Sequence, residues 1–179
     1  MTRHRLTLVP ALLASIAAAP ALSAQSQEPV AAPWVVADPA ARTATLALEV
    51  TAPAEAPSAL LNGYREGGVQ VVVPLGWTVT WDWRSADSAG QHSLVVMAER
   101  EKLPMEGGRP AFTNGMSRSL TMGLAAGETD STTFVAEEQG WYWLLCGVPE
   151  HALAGEWIGL RIDPEAATAG VRIKETAAQ

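Results

Sequence analysis

The sequence predicts an all-β fold, a Greek-key β-sandwich or small barrel, and three observations carry that expectation. Short segments of alternating apolar and polar residues recur along the chain. Turns separate them, drawn from 15 glycines and 12 prolines in 179 residues. No long segment shows a helical apolar period. Many short strands between such turns specify two packed sheets.

The elements follow in order. Residues 1–24 read as a secretory signal. Arg3, His4 and Arg5 form its basic start, and Leu6 to Ala24 is apolar and ends in small residues, with cleavage expected after Ala24. Two prolines and many alanines make this stretch a poor spanning helix, so the mature chain is expected to be periplasmic or secreted with no membrane span. Residues 25–42, rich in proline and alanine, read as a linker or extended arm. A single domain is expected over 43–165.

Within that domain, Thr43 to Val50 alternates, with Leu46, Leu48 and Val50 on one face. Val69 to Arg84 reads as two strands broken at Pro74-Leu75-Gly76. In the second, Trp77, Val79, Trp81 and Trp83 share a face, and Thr78, Thr80 and Asp82 share the other. A polar turn, Ser85 to Gly90, leads to a short strand, Gln91 to Met97. The stretch 99–127 breaks the rhythm and is expected as a long excursion holding at most one short strand or helical turn. Ser131 to Ala136, Gly140 to Cys146 and Glu156 to Ile162 are strands. A tail, 166–179, follows, with Val171 to Ile173 available as an edge strand.

The net charge of −7 argues against nucleic acid, whose phosphates require a basic face. It suits a partner with a basic patch. Glu137, Glu138 and Glu150 are read as solvated charges that could form an acidic rim for such a partner.

Removing the signal removes His4, leaving His92, His151 and one cysteine, Cys146. Exported chains use cysteines in pairs, so a single thiol asks for another role. Alternation puts Cys146 on one face with Tyr142 and Leu144. Stepping back two residues from Ile158 brings Glu156 to an apolar, inward face. A carboxylate there is costly without a partner. His151 lies on the loop between them, equally spaced from both. A thiolate, two imidazoles and a fourth ligand describe a metal site. Sulfur with two nitrogens and a weak axial ligand suits copper, and the same atoms could hold zinc. Met97, Met105, Met116 and Met122 are alternative sulfur donors without the motif spacing. Most tryptophans are read as core. Trp143 points away from the Cys146 face, towards the excursion or a docking surface.

The run Cys146-x4-His151-x4-Glu156, with His92 upstream in "QHSLVV", resembles the cupredoxin pattern Cys-x4-His-x4-Met. Together with "LNGYREGGVQVVVPLGWTVTW" and "GWYWLLCGVPEHALAGEW", it is similar to sulfocyanin and its relatives over roughly residues 43 to 163. The resemblance implies a cupredoxin fold binding one copper per chain through His92, Cys146 and His151. Position 156 would be axial, with glutamate where the family has methionine. It also implies a monomeric, non-enzymatic carrier of single electrons between redox proteins. The alternatives are a red or green copper site with a catalytic or nitric-oxide-binding role, as in nitrosocyanin, whose spacing differs, or a copper carrier.

Overall fold

A computed structural model of the chain describes residues 28 to 174, so the expected signal at 1–24 lies outside the described residues. Among the described residues there are ten strands and no helix. One sheet runs β1 (Val35–Asp38), β2 (Thr43–Thr51), β5 (Thr78–Ser85), β7 (Thr129–Val135), with β3 (Leu60–Leu61) paired to β2. The other runs β10 (Gly170–Ile173), β4 (Val69–Pro74), β9 (Trp157–Asp163), β8 (Gly140–Leu145), β6 (Val95–Ala98). The β2–β5 and β4–β9 pairs are parallel and the others antiparallel. The two parallel pairs arise where a strand returns beside one distant in sequence, β5 beside β2 and β9 beside β4, each through a long connection.

The alternation read from the sequence is the burial pattern. Leu46, Leu48 and Val50 of β2, Val79, Trp81 and Trp83 of β5, and Ile158, Leu160 and Ile162 of β9 all enter one core. Each such side chain contributes about 1.5–3 kcal/mol of transfer free energy. β4 is buried on both faces, which is why it reads as an apolar run broken only at Gln70.

One segment differs from expectation. Part of the stretch read as a linker enters the sheet: Val35–Asp38 pairs with Thr43–Leu46, and Val30 bridges Val171. Trp34, Val35 and Ala37 pack against the core, an apolar set that proline- and alanine-rich composition conceals. In the tail, Val171 to Ile173 form the expected edge strand, as β10 paired to β4.

The excursion 99–127 contains neither strand nor helix. It runs instead as an irregular cover along 92–96. Ser117 N–H donates to Leu94 O (2.8 Å), Val96 N–H to Gly115 O (2.8 Å) and Leu124 N–H to His92 O (2.7 Å). Phe112 anchors it, stacked on Phe134 at 5.3 Å and tilted against Tyr142 at 4.8 Å. Leu103 and Leu120 pack on a second, smaller core of Val95, Trp143, Leu145 and Ala152. Trp143 is therefore covered by the excursion.

Candidate metal centre

Cys146 follows the last residue of β8 and is fully buried. Its N–H donates to Glu156 O at 3.1 Å, extending the β8–β9 pairing by one rung. Between them the chain turns tightly: Ala154 N–H reaches Glu150 O (2.9 Å), Gly155 N–H reaches Ala152 O (3.0 Å), and Glu156 N–H reaches His151 O (3.0 Å). Gly155 has φ +106°, a conformation open to glycine, and a Cβ there would lie 2.7 Å from Arg65 Nη2. These turns bring His151 and Glu156 back over Cys146.

His92 arrives from the other side. It precedes β6 and is fixed by paired backbone hydrogen bonds with Leu124, 3.1 Å and 2.7 Å. Its neighbour Ser93 joins three segments. The Ser93 N–H donates to Cys146 Sγ at 3.4 Å. The Ser93 hydroxyl donates to Leu120 O at 2.6 Å and accepts from Gly147 N–H at 2.8 Å.

The result is one cluster. A ligand atom from each of His92, Cys146, His151 and Glu156 lies within 4.8 Å of the other three. His92 Nδ1 is 2.8 Å from Glu156 Oε1, His151 Nδ1 is 3.1 Å from Glu156 Oε2, and His151 Nδ1 is 3.5 Å from Cys146 Sγ. The two rings lie 5.1 Å apart. Donors bound to one ion at about 2.0–2.3 Å span at most about 4.6 Å, so a contraction of a few tenths of an ångström would bring these four atoms onto a single ion. Sulfur, two imidazoles and a carboxylate suit a transition metal, not a hard oxygen-seeking cation. Of the methionine alternatives, Met97 packs on the second core, and Met105, Met116 and Met122 are exposed.

Electrostatics bind the metal-free cluster together. Burial disfavours the His92 imidazolium, but hydrogen bonds with Cys146, Glu156 and Asp87 outweigh it and raise its pKa to about 10. Contacts with Cys146 and Glu156 raise His151 to about 9 against a smaller burial penalty. Burial pushes Glu156 upward, but its two histidine partners hold it below the ordinary carboxylate range. Only His151 reaches the surface appreciably, with 31% of its side chain exposed against 4% for Glu156.

One residue of the site was missed in the sequence. Asp87, in the polar turn after β5, places Oδ2 2.8 Å from His92 Nε2. Its signal was faint: an acid five residues before a histidine, in a turn rich in small polar residues. Two residues singled out for an acidic rim lie elsewhere. Glu137 and Glu138 precede β8, whereas Cys146 follows it, and six residues of strand span about 20 Å. Only Glu150 lies on the site's own loop.

No curated protein matches the chain at a significant level. Among solved structures it is similar to an auracyanin from the photosynthetic bacterium Roseiflexus castenholzii, 22% identical, covering 66% of this chain and 97% of that one, TM-score 0.46. It is also similar to auracyanin A, a "blue" copper protein from Chloroflexus aurantiacus, 18% identical, covering 66% and 99%, TM-score 0.47. Rusticyanin is 15% identical, with coverage of 68% and 85% and a TM-score of 0.46. The sulfocyanin (SoxE) domain model matches residues 32–171, a span that takes in both halves of the cluster and the strands that carry them. The fold is the cupredoxin sandwich, its cofactor is copper, and the chain belongs to the sulfocyanin (SoxE) domain family.

Proposed function

We propose that this chain is an exported carrier that holds one copper ion through His92, Cys146 and His151, with Glu156 as the axial ligand, and passes single electrons between larger redox proteins. The observation that carries the reading is the convergence of the four donor atoms within 4.8 Å of one another. Bound copper would supply a one-electron couple. The protein would supply a fixed ligand set. His92 is held by paired backbone hydrogen bonds, Cys146 by the end of β8, and Glu156 by the start of β9. A donor set held this way changes little between oxidation states, so little reorganisation opposes transfer. His151, the partly exposed ligand, is the natural edge for electron entry and exit. The acidic net charge and Glu150 on the site's loop support a partner with a basic patch. Metal uptake requires the Nδ1 protons of both histidines to leave.

A second reading has a specific observation behind it. A depression of about 270 Å³ opens beside His92, His151 and Glu156, lined also by Ala59, Ala89 and Ala154. With a carboxylate ligand, such a site could take a small molecule at an open position, as a red or green copper centre.

The test is copper loading followed by visible and electron-resonance spectroscopy. An intense thiolate-to-copper band is expected, and Cys146→Ser should abolish it; a serine variant that keeps the band sinks the assignment. Glu156→Met should raise the reduction potential, because a hard anion favours Cu(II) and a thioether does not. An equal or lower potential would remove Glu156 from the ligand set. Spectral change on adding nitric oxide would favour the second reading.

A further inference from the structure

Among the described residues Asp87 makes no hydrogen bond to Cys146, His151 or Glu156, yet its geometry is as constrained as theirs. Its carboxylate is buried, at 8% exposure. Oδ1 accepts the Ala89 N–H at 2.8 Å, which fixes the turn, and Oδ2 accepts from His92 Nε2 at 2.8 Å. Gly90 closes over the contact. A Cβ at that position would lie 2.7 Å from Asp87 Oδ2 and 2.9 Å from His92 Nε2. The backbone at 90 therefore packs directly on the Asp87–His92 hydrogen bond, with no room for a side chain.

Burying a carboxylate is costly unless it is partnered, and here the side-chain partner is one ring nitrogen. The consequence falls on the other nitrogen. An Nε2 that donates to Asp87 keeps its proton, so Nδ1 is the atom left to face Cys146 and Glu156. A carboxylate behind an imidazole also raises its basicity and adds negative charge across the ring. Cys146, Glu156 and His151 are the other titratable groups around His92, and Glu156 lies on its Nδ1 side. Asp87 is alone on the Nε2 side among the described residues that hydrogen-bond His92.

We propose that Asp87 is a positioning residue that fixes the His92 tautomer and, through its charge, biases the bound copper towards Cu(II). The inference rests on the copper reading above and extends it to a residue outside the ligand set. Its direction is definite: removing the charge weakens Cu(II) binding more than Cu(I) binding.

Asp87→Asn keeps the size and an acceptor oxygen but loses the charge, and Asp87→Ala loses both. Voltammetry of the copper-loaded proteins should show a higher potential in Asp87→Asn. The preference should move towards Cu(I) by about tenfold, the lower end of what an outer carboxylate contributes to affinity. For a one-electron couple that is about 59 mV. Nitrogen-15 NMR of the metal-free proteins gives a reading without copper. The His92 Nε2–H should exchange slowly in the wild type and fast in Asp87→Ala. An unchanged potential in Asp87→Asn overturns the charge effect, and slow exchange in Asp87→Ala overturns the positioning. Should the alanine variant fail to fold, the asparagine variant still decides, by its potential. A wild type that binds copper without a thiolate band would overturn the copper reading first, and that failure is visible before any variant is made.

Discussion

The loop from Cys146 to Glu156 and the segment from Asp87 to Ser93 deliver side chains to the same cluster by opposite means. The loop is self-contained. It is framed by the ends of β8 and β9, closed by its own turns, and carries three of the four donors in one short run. The segment 87–93 has no strand of its own. His92 is held by Leu124, Ser93 by Leu120 and Gly147, and Asp87 by His92 itself. One half of the site is fixed by local geometry, the other by tertiary contact with an irregular cover. The first should tolerate loss of its histidine better than the second.

The largest expected effect tests that contrast directly. His92 is the side-chain partner of Asp87 and one of two partners of Glu156, all buried. His92→Ala should therefore leave a buried carboxylate without its counter-group and cost about 3–5 kcal/mol in the metal-free protein. His151 is partly exposed, and its removal leaves Glu156 still paired with His92. His151→Ala should cost less, about 1.5–3 kcal/mol, for the loss of a hydrogen bond to a charged group. Urea unfolding of both variants measures the difference. Equal losses would mean that the two halves are equally dependent on their histidines.

The same contrast explains what the sequence disclosed. The three donors at even spacing in 146–156 could be read because their arrangement is set by neighbours a few residues away. The strand faces of Leu46 to Val50 and Trp77 to Trp83 were legible for the same reason, a period of two. Asp87 was not legible, because its role exists only once His92 is placed against Glu156 from β9's end. The excursion was visible as a break in pattern, but Phe112 as its anchor was not, since its stacking partners, Phe134 and Tyr142, lie on two other strands. The apolar set that draws 35–38 into the sheet was diluted by prolines and alanines.

Raising the pH probes both halves without a mutation, and more gently. Deprotonation removes a charge from each histidine but leaves a ring that still donates one hydrogen bond, so the loss should be smaller than in His92→Ala. The folded-state values, about 9 for His151 and about 10 for His92, lie above the unfolded 6.5. The stability they contribute is fully present below 6.5 and is lost as pH rises through 9 and then 10. Asp87 and Glu156 have lowered values and act in reverse, withdrawing stability as acid protonates them. The metal-free protein should thus be most stable between the two limbs, as read by melting temperature across pH. His151→Ala should remove the step near 9 and keep the one near 10. A melting temperature that climbs from pH 7 to 10 would reverse the sign and break the account of the cluster.

The smallest effect is expected at the joint between the two halves. Ser93 links them through its hydroxyl, which accepts from Gly147 on the loop and donates to Leu120 on the cover. Its backbone N–H, not its side chain, makes the shorter approach to Cys146 Sγ, 3.4 Å against 3.9 Å. Ser93→Ala therefore strands a buried amide and a carbonyl but leaves the N–H contact to the thiol in place. The cost should be about 1–3 kcal/mol. The loss should be local: Leu120 is freed from the joint, so limited proteolysis should cut first within 99–127. The copper–thiolate band should keep its position, because the ligand atoms and the Ser93 N–H are untouched. Ser93→Thr, which restores a hydroxyl, should recover part of the stability and protect the cover. If Ser93→Ala instead shifts the band or loses copper while the cover stays protected, the serine belongs to the metal site itself. The division into a self-contained loop and a tertiary segment would then have been drawn in the wrong place.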